Sequence, residues 1–321
     1  MKLLHALRTP FPAAALHLHT DYSRLRTAVE EFGPSLLWLE SYTPALPATA
    51  LAEALNLPLY YRSHNIEHRY LAAMIQAGGD APLKTRLLQL LTHRTLEKFE
   101  RTLLQRVRRV YDISPEDAAF WRQEFPGRDI RWLPPFAPEN LPESSPEKRY
   151  DFLFVGNLFT PNNRQALRWL IREIMPRIRK RLPGARLTVA GSSPGRDFSA
   201  ELSRFSWLRL LADFDSPDRL FAQSRVVLNP ILRGSGVNLK SVDALASGTP
   251  WVGTPQAMRG LPESLKRLLP PAGDARTFAD RAIDWYRNPS RYPASIVRSL
   301  CRDHFEELPA RMLAALSGER L

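Results

Sequence analysis

Short apolar segments that end in glycine alternate with helical segments in the second half of this 321-residue chain. Residues 151–156 and 186–191 are two such segments, and residues 164–181 between them carry apolar side chains at helical spacing. Buried strands that alternate with helices need crossover connections, which place the strands in one parallel sheet. Ligands of such sheets bind where the strands end, so these glycines mark candidate binding loops. Further strands of this half are predicted at residues 208–211, 226–229 and 250–253.

The first half of the chain shows a similar but less regular alternation. Residues 135–149 follow it, rich in proline and acidic residues without any periodicity, which is typical of an interdomain linker. A chain of this length also fits two domains better than one. In the first half, strands are predicted at residues 36–40, 59–63 and 109–113, and helices at 48–55 and 83–106. The predicted division is an N-terminal α/β domain at 1–134, a linker at 135–149, a C-terminal domain at 150–290, and a helical segment at 291–321 that could cross back to the N-terminal domain.

Composition favours a cytoplasmic protein. Cys301 is the one cysteine of the chain, which excludes an internal disulfide and suits a reducing compartment. The first residues contain no apolar run of secretory length, and no window holds the roughly 18 uninterrupted apolar residues of a membrane span.

A formal net charge of +12 either reflects an arginine-rich composition alone, since arginine is well tolerated on helix surfaces, or suggests an anionic partner. Phosphate-bearing small molecules, an anionic membrane surface and nucleic acid are the three candidates. Nucleic acid is not expected, because the basic residues are dispersed over helices instead of clustering with aromatic residues. The predicted helix at 83–106 combines leucines with a basic rim that Glu97 and Glu100 dilute, so peripheral docking on the inner face of a membrane and an ordinary solvated helix face both remain open.

The most informative segment runs from Asn229 to Pro250. Gly234 and Gly236 allow backbone amides to approach an anion closely, and a helix predicted from about residue 237 supplies a partial positive charge at its N-terminus. Lys240 is expected one turn into that helix, where its ammonium could reach the same anion. Asp243 follows one turn later on the same face, and its carboxylate could accept hydrogen bonds from a ribose diol.

This segment resembles the donor-binding region of glycosyltransferase family 4, the retaining glycosyl transferases group 1 proteins of the GT-B fold. Other parts of the chain are similar to that family in the same order, and the resemblance extends from residue 35 to residue 310. The motifs that carry it lie at residues 62–67, 154–157, 161–163, 187–191, 218–226, 234–250 and 254–261.

The resemblance implies an α/β protein of two Rossmann-like domains whose parallel sheets face a central cleft. Lys240 would bind the donor diphosphate, Asp243 the ribose, and His64 would face the transferred sugar from the N-terminal domain, so these three form the expected catalytic set. The other expected donor-binding residues are Gly156, Asn157, Asn162, Gly191, Phe214, Arg233, Gly234, Ser235, Gly236, Val237 and Asn238.

The resemblance also implies the reaction. A sugar would pass from a nucleotide-sugar donor to a glycan or lipid-linked acceptor with retention of configuration, in cell-surface polysaccharide synthesis. Positive groups and the helix dipole would stabilise the leaving nucleoside diphosphate, so no cofactor and no metal ion is expected.

Two features depart from the family pattern. Ser235 stands where many members carry a glutamate that contacts the donor sugar. Residues 1–34 are too short for the strand, glycine-rich loop and helix with which the family opens, so the N-terminal domain is expected to be truncated. A catalytically silent GT-B relative that binds a nucleotide or a partner protein is the alternative interpretation.

Two motifs could suggest a metal site. His64 and His68 have the spacing of an H-x-x-E-H metalloprotease motif, but the preceding apolar run predicts that His64 ends a strand instead of lying on a helix. Asp213 and Asp215 could form an acidic metal-binding pair, and a turn before the next helix is the more ordinary role for them.

Overall fold

The computed structural model describes residues 9–77, 83–137, 144–192, 195–212, 214 and 217–318. The chain divides into two compact units, which we call the first unit (Met1–Pro134 with Met312–Leu321) and the second unit (Pro135–Arg311). Each unit contains one parallel β-sheet with helices, so the predicted α/β architecture is confirmed. None of the helices in these ranges is long and apolar enough to cross a lipid bilayer.

The first unit is built on four parallel strands in the order β1-β2-β3-β4. The last of them, at residues 130–132, was not predicted. The strands are β1 (Leu37–Leu39), β2 (Leu59–Ser63), β3 (Arg109–Asp112) and β4 (Ile130–Trp132). The helices are α1 (Phe11–His19), α2 (Tyr22–Phe32), α3 (Ala45–Leu55), α4 (Glu67–Gln76), α5 (Leu83–Arg106) and α6 (Pro115–Glu124).

Local sequence signals explain several of these boundaries. The hydroxyl of Ser114 accepts a hydrogen bond from the backbone N–H of Asp117, and Pro115 occupies the first turn, so these two residues favour the start of α6 at this position. Pro58 precedes β2, whose side chains are almost all buried. Trp121 of α6 is fully buried in the core beside β2 and β3.

The final helix, α15 (Leu308–Gly318), contributes to the first unit. Its apolar residues Met312, Leu313 and Leu316 pack against a cluster of buried side chains from that sheet. The buried members of the cluster are Tyr60, Tyr111 and Leu133. Residues 291–311, which the sequence groups with this helix, belong instead to the second unit.

The second unit has five parallel strands in the order β7-β6-β5-β8-β9. The predicted helix at 164–181 begins earlier, at Pro161, and contains a π-helical turn at Leu170–Ile174. The strands are β5 (Tyr150–Val155), β6 (Leu187–Ala190), β7 (Leu208–Leu211), β8 (Ser224–Asn229) and β9 (Trp251–Gly253). The helices are α7 (Pro161–Trp169), α8 (Met175–Arg181), α9 (Arg196–Ser203), α10 (Pro217–Ala222), α11 (Leu239–Ala246), α12 (Glu263–Leu268), α13 (Ala275–Arg287) and α14 (Ala294–Arg302).

The segment predicted as a linker packs on the second unit where it is described. The backbone N–H of Ser144 donates to the carbonyl of Ser247, and that of Ser145 donates to the carbonyl of Ala222. The ammonium of Lys148 donates to the same Ala222 carbonyl at 2.9 Å. Residues 144–149 are therefore part of the second unit and not a free tether. Residues 138–143 lie outside the described residues.

Candidate functional site

The loops after β5 and β6 approach each other closely in the second unit. The backbone N–H of Gly156 donates to the carbonyl of Ala190, and that of Gly191 donates to the carbonyl of Leu211. A Cβ atom on Gly191 would lie 2.0 Å from the carbonyl oxygen of Gly156. Glycine is therefore required at position 191 for the two strand ends to meet.

Gly191→Ala should lower the free energy of unfolding by about 2 kcal/mol, because the added methyl group forces the two loops apart. Chemical denaturation of the second unit measures this change. Gly184→Ala is the matched control, since a Cβ atom there meets no heavy atom within 4 Å. Equal stability of the two variants would contradict the close approach.

The turn after β8 has the glycine geometry that the sequence predicts. Gly234 has φ 145° and Gly236 has φ 68°, both in the range that favours glycine. The turn is held from outside, since the Asn162 side chain donates to the carbonyl of Arg233 at 3.4 Å and the Gln256 side chain donates to that of Gly234 at 3.0 Å.

Helix α11 begins two residues later than predicted, at Leu239, so Lys240 lies in its first turn. Asn238 occupies the N-cap position, but its side-chain oxygen accepts a hydrogen bond from Asn229 at 3.1 Å instead of capping the helix. Asn238 therefore makes no capping hydrogen bond to the first-turn amides of α11. An anionic ligand could take that place, because a helix N-terminus carries partial positive charge.

Lys240 is held between two elements of the second unit. Its ammonium donates a hydrogen bond to the side-chain oxygen of Asn163 at 2.8 Å and lies 4.9 Å from the centre of the Phe154 ring. The residue is half-buried, so part of its side chain is shielded from water. This desolvation lowers the pKa of Lys240 to about 7.

Asp243 carries the opposite shift. Burial first, and then the negative charge of Asp218, raises the pKa of Asp243 to about 7. Although both side chains are described, no ion pair joins Lys240 to Asp243. Each side chain is therefore shielded from water without the opposite charge of the other beside it. This is expected at a site where a ligand supplies the opposite charge.

Asn162 has an unsatisfied polar atom beside this turn. The residue is 7% exposed, and its side-chain oxygen has no hydrogen-bond partner. A buried acceptor without a partner is costly unless a ligand or water donates to it. Asn162 therefore lies beside the glycine turn with an acceptor available.

The remaining predicted residues shape the same region in different ways. Asn157 stabilises its own loop, since its side chain accepts from the backbone of Phe159 at 2.8 Å. Val237 packs against Gly260, where a Cβ atom would lie 2.3 Å from a valine methyl group. Phe214 packs half-buried on the core of the unit. Arg233 is exposed, Ser235 is half-buried, and Asp213 and Asp215 lie outside the described residues.

Two residues of this site were missed as functional positions. Asn163 links the first loop to Lys240, because its amide also donates to the carbonyl of Asn157 at 2.8 Å. Gln256 fixes the Gly234 carbonyl. The consecutive asparagines at 162 and 163 were a usable signal, whereas Gln256 follows the last strand without any pattern that marks it.

His64 belongs to the first unit and directly follows β2, as predicted. Its Nε2 lies 2.9 Å from a carboxylate oxygen of Glu40, and the side chain is 49% exposed. Glu40 also accepts from the Trp38 indole at 2.5 Å and lies 3.9 Å from the Arg62 guanidinium. The imidazole is thus oriented by a carboxylate while much of it faces solvent.

The two histidines of the H-x-x-E-H motif have separate partners. Helix α4 begins at Glu67, so His64 lies outside it, whereas Nδ1 of His68 contacts Glu100 at 2.7 Å. Among the described side chains, no three metal-ligating groups lie close enough to share one ion.

Glu100 does not belong to a solvated rim, as the helical pattern of α5 suggested. Its side chain is 0% exposed and accepts from the backbone N–H groups of Glu67 and His68 in the first turn of α4. The carboxylate therefore stabilises a helix N-terminus. Burial, and then the charge of Glu100, raises the pKa of Glu67 to about 7.

Comparison with known proteins finds a family match in the second unit. The family model described as glycosyl transferases group 1 matches residues 149–288. An uncharacterized 44.6 kDa protein from the cps region of Klebsiella pneumoniae is 30% identical over an alignment of 172 residues, which covers 49% of this chain and 43% of that protein. The match thus spans less than half of this relative.

Solved structures resemble nearly the whole chain. Sucrose-phosphate synthase from Thermosynechococcus elongatus has a TM-score of 0.69 at 16% identity, over 92% of this chain and 76% of that one. HepE from Anabaena, in complex with UDP-glucose, has a TM-score of 0.67 at 13% identity, over 95% of this chain and 84% of that one. The pneumococcal O-GlcNAc transferase GtfA, in complex with UDP and GlcNAc, has a TM-score of 0.63 at 13% identity, over 92% of this chain and 59% of that one. The expected GT-B fold is confirmed.

Proposed function

We propose that this chain, whose residues 149–288 match the glycosyl transferases group 1 family model, transfers a sugar from a nucleotide-sugar donor to an acceptor. One observation carries this proposal. A desolvated lysine lies in the first turn of a helix whose N-cap residue makes no capping hydrogen bond, next to a glycine turn. This arrangement suits the diphosphate of a nucleotide sugar.

The donor would be held at two points of α11. The ammonium of Lys240 and the first-turn amides would bind the diphosphate, and the carboxylate of Asp243 would accept hydrogen bonds from the ribose hydroxyls. Asn162 would add its free acceptor. HepE in complex with UDP-glucose and GtfA in complex with UDP and GlcNAc support a nucleoside diphosphate sugar as the donor class.

The acceptor would be a glycan or a lipid-linked glycan in cell-surface polysaccharide synthesis. The Klebsiella pneumoniae relative from a cps region supports this assignment. The proposed reaction would take place in the cytoplasm. The buried thiol of Cys301, the one cysteine of the chain, suits such a reducing compartment.

Transfer would retain the anomeric configuration and need no metal ion. Negative charge develops on the leaving nucleoside diphosphate as the glycosidic bond breaks. Lys240 and the helix dipole would stabilise that charge where a metal ion serves in other transferases. His64 would contact the transferred sugar, with Glu40 fixing its ring.

A panel of UDP-, GDP-, ADP- and dTDP-sugars, screened by thermal shift and then by transfer assays, tests the function. We expect one nucleotide class to stabilise the chain and to support transfer in excess EDTA, with the anomer of the fresh product matching that of the donor by NMR. Complete loss in EDTA with recovery on Mn²⁺ would reject the metal-independent mechanism, and an inverted product would reject retention.

Ser235 favours a second candidate function. This position lacks the carboxylate that many family members direct at the donor sugar, so the chain could bind a nucleotide without catalysis. Stabilisation by a nucleoside diphosphate, with neither transfer nor donor hydrolysis for any acceptor, would identify such a binding protein.

A further inference from the structure

Helix α1 and the first half of α5 present apolar side chains to solvent. On α5, every buried residue lies at Thr92 or beyond, and residues 83–91 are exposed or half-buried. Exposed fractions reach 82% for Leu83 and 56% for Leu87. We call this surface the α1–α5 face, and its exposed apolar residues are Phe11, Leu16, Leu18, Leu83, Leu87, Leu90 and Leu91.

Two adjoining cavities open along the same helices. One has a volume of 570 Å³ and lies between α1 and α5, with Phe11, Leu18 and Leu91 in its wall. The other, of 690 Å³, continues towards α3, and both include Arg94 and Thr95 in their lining. Cavities of this size bind small ligands in other proteins. They give the face room for apolar groups such as acyl chains.

The charged residues of the α1–α5 face are all basic. Residues 9–20 and 83–96 contain no aspartate or glutamate, while Lys84, Arg86 and Arg94 are exposed. These three cations form no ion pair within the described part of the chain. Arg101, farther along α5, instead pairs with Glu97 and Glu124. Unpaired cations beside exposed leucines are complementary to a partner that is both apolar and anionic.

We propose that the α1–α5 face docks on the surface of a bilayer that contains anionic phospholipids. The leucines enter the boundary between headgroups and acyl chains, and the cations contact lipid phosphates. A second copy of the chain is the poorer occupant, because two cationic faces repel each other. The proposal rests on the first unit alone and does not depend on the donor site.

Sedimentation of the full chain with vesicles tests the proposal. We expect binding to phosphatidylcholine vesicles that contain one third phosphatidylglycerol, and little binding to phosphatidylcholine alone. The Lys84→Ala/Arg86→Ala variant should bind about 25-fold more weakly, because each cation near a charged membrane changes partitioning about fivefold. Leu87→Ser/Leu90→Ser should reduce binding to a similar or greater extent.

Matched controls come from the second unit. Lys180→Ala/Arg186→Ala removes two exposed cations and Ile296→Ser removes an apolar side chain that is 53% exposed, and neither should change vesicle binding. Equal binding by the α1–α5 variants and these controls would overturn the proposal. So would a parent dimer that Leu87→Ser/Leu90→Ser dissociates, which would assign the face to a second copy. Nucleoside diphosphate affinity should be the same in all variants, so this result is independent of the proposed donor site.

Discussion

Lys240→Ala should weaken the binding of a nucleoside diphosphate about 100-fold. The variant removes a charge-assisted hydrogen bond in a site that is shielded from water, worth about 3 kcal/mol. Titration calorimetry with the nucleoside diphosphate that stabilises the parent measures the change. Lys240→Met is a second variant, which keeps an apolar chain over Phe154 while removing the charge. Its affinity for the nucleoside diphosphate should fall by a similar factor.

The controls for this prediction separate charge from position. Lys180→Ala removes an exposed lysine of the same unit and should leave the affinity unchanged. Asp243→Asn should weaken nucleotides more than pyrophosphate, because its proposed partner is the ribose. Unchanged affinity in Lys240→Ala would remove Lys240 from the site, and a uniform loss in Asp243→Asn would remove its ribose contact.

The pH dependence of binding gives a further readout of Lys240. Its pKa is about 7 in the free chain, and a bound diphosphate favours the charged form, so binding takes up a proton above that pH. The affinity of the parent should therefore fall by up to tenfold per pH unit above about 7. It should also fall below about 7, where Asp243 becomes protonated. The alkaline fall should disappear in Lys240→Ala.

The same two pKa shifts make the stability of the folded chain change with pH in opposite directions. Lys240 binds fewer protons in the folded chain than in the unfolded chain between about pH 7 and its ordinary pKa of 10.5, so its contribution to stability increases with pH there. Asp243 binds more protons in the folded chain between 3.8 and about 7, so its contribution decreases as pH rises through that window. Both groups thus weaken the free chain near neutral pH, where a bound donor would stabilise it.

Local patterns predicted most of the fold, because strands that end in glycine and helices that begin at a capping residue depend on neighbours in the sequence. The glycine turn, Lys240 and Asp243 were found in this way. Contacts between residues that lie far apart in the sequence could not be predicted in this way. The link from Lys240 to Asn163 spans 77 positions, and although the consecutive asparagines at 162 and 163 stand out, nothing in the sequence pairs them with Lys240.

Helix α5 shows why an amphipathic pattern alone was insufficient. Its leucines predicted one apolar face, but tertiary packing covers only the second half of the helix. Glu100 is buried because the first turn of α4, more than 30 residues away in sequence, supplies its N–H donors. Which apolar or charged residue of a helix becomes buried is decided by the partner that reaches it, and that partner is not visible in the helix itself.

His64→Ala should lower the turnover number about 100-fold and leave nucleoside diphosphate affinity unchanged. A side chain that donates or accepts a proton, or a hydrogen bond that forms only in the transition state, contributes at least this factor. His64 suits such a role because the carboxylate of Glu40 contacts its Nε2 at 2.9 Å and half of the side chain faces solvent. The nucleotide would contact α11 of the second unit, so its affinity should not depend on His64. Steady-state transfer kinetics and calorimetry on the same preparations measure the two quantities.

The controls distinguish a role in the reaction from a role in the fold. His304→Ala changes a histidine of the second unit and should alter neither quantity. Glu40→Gln keeps a hydrogen-bonding group beside His64 but removes the charge, so it should lower turnover less than His64→Ala does and shift the pH profile of turnover. If His64→Ala and Glu40→Gln lose nucleotide affinity and thermal stability together, the pair stabilises the first unit and takes no part in transfer. If turnover is unchanged in His64→Ala, the transferred sugar does not meet this histidine, and the reacting groups must be sought on the second unit, where Asn162 offers its unsatisfied acceptor beside the glycine turn.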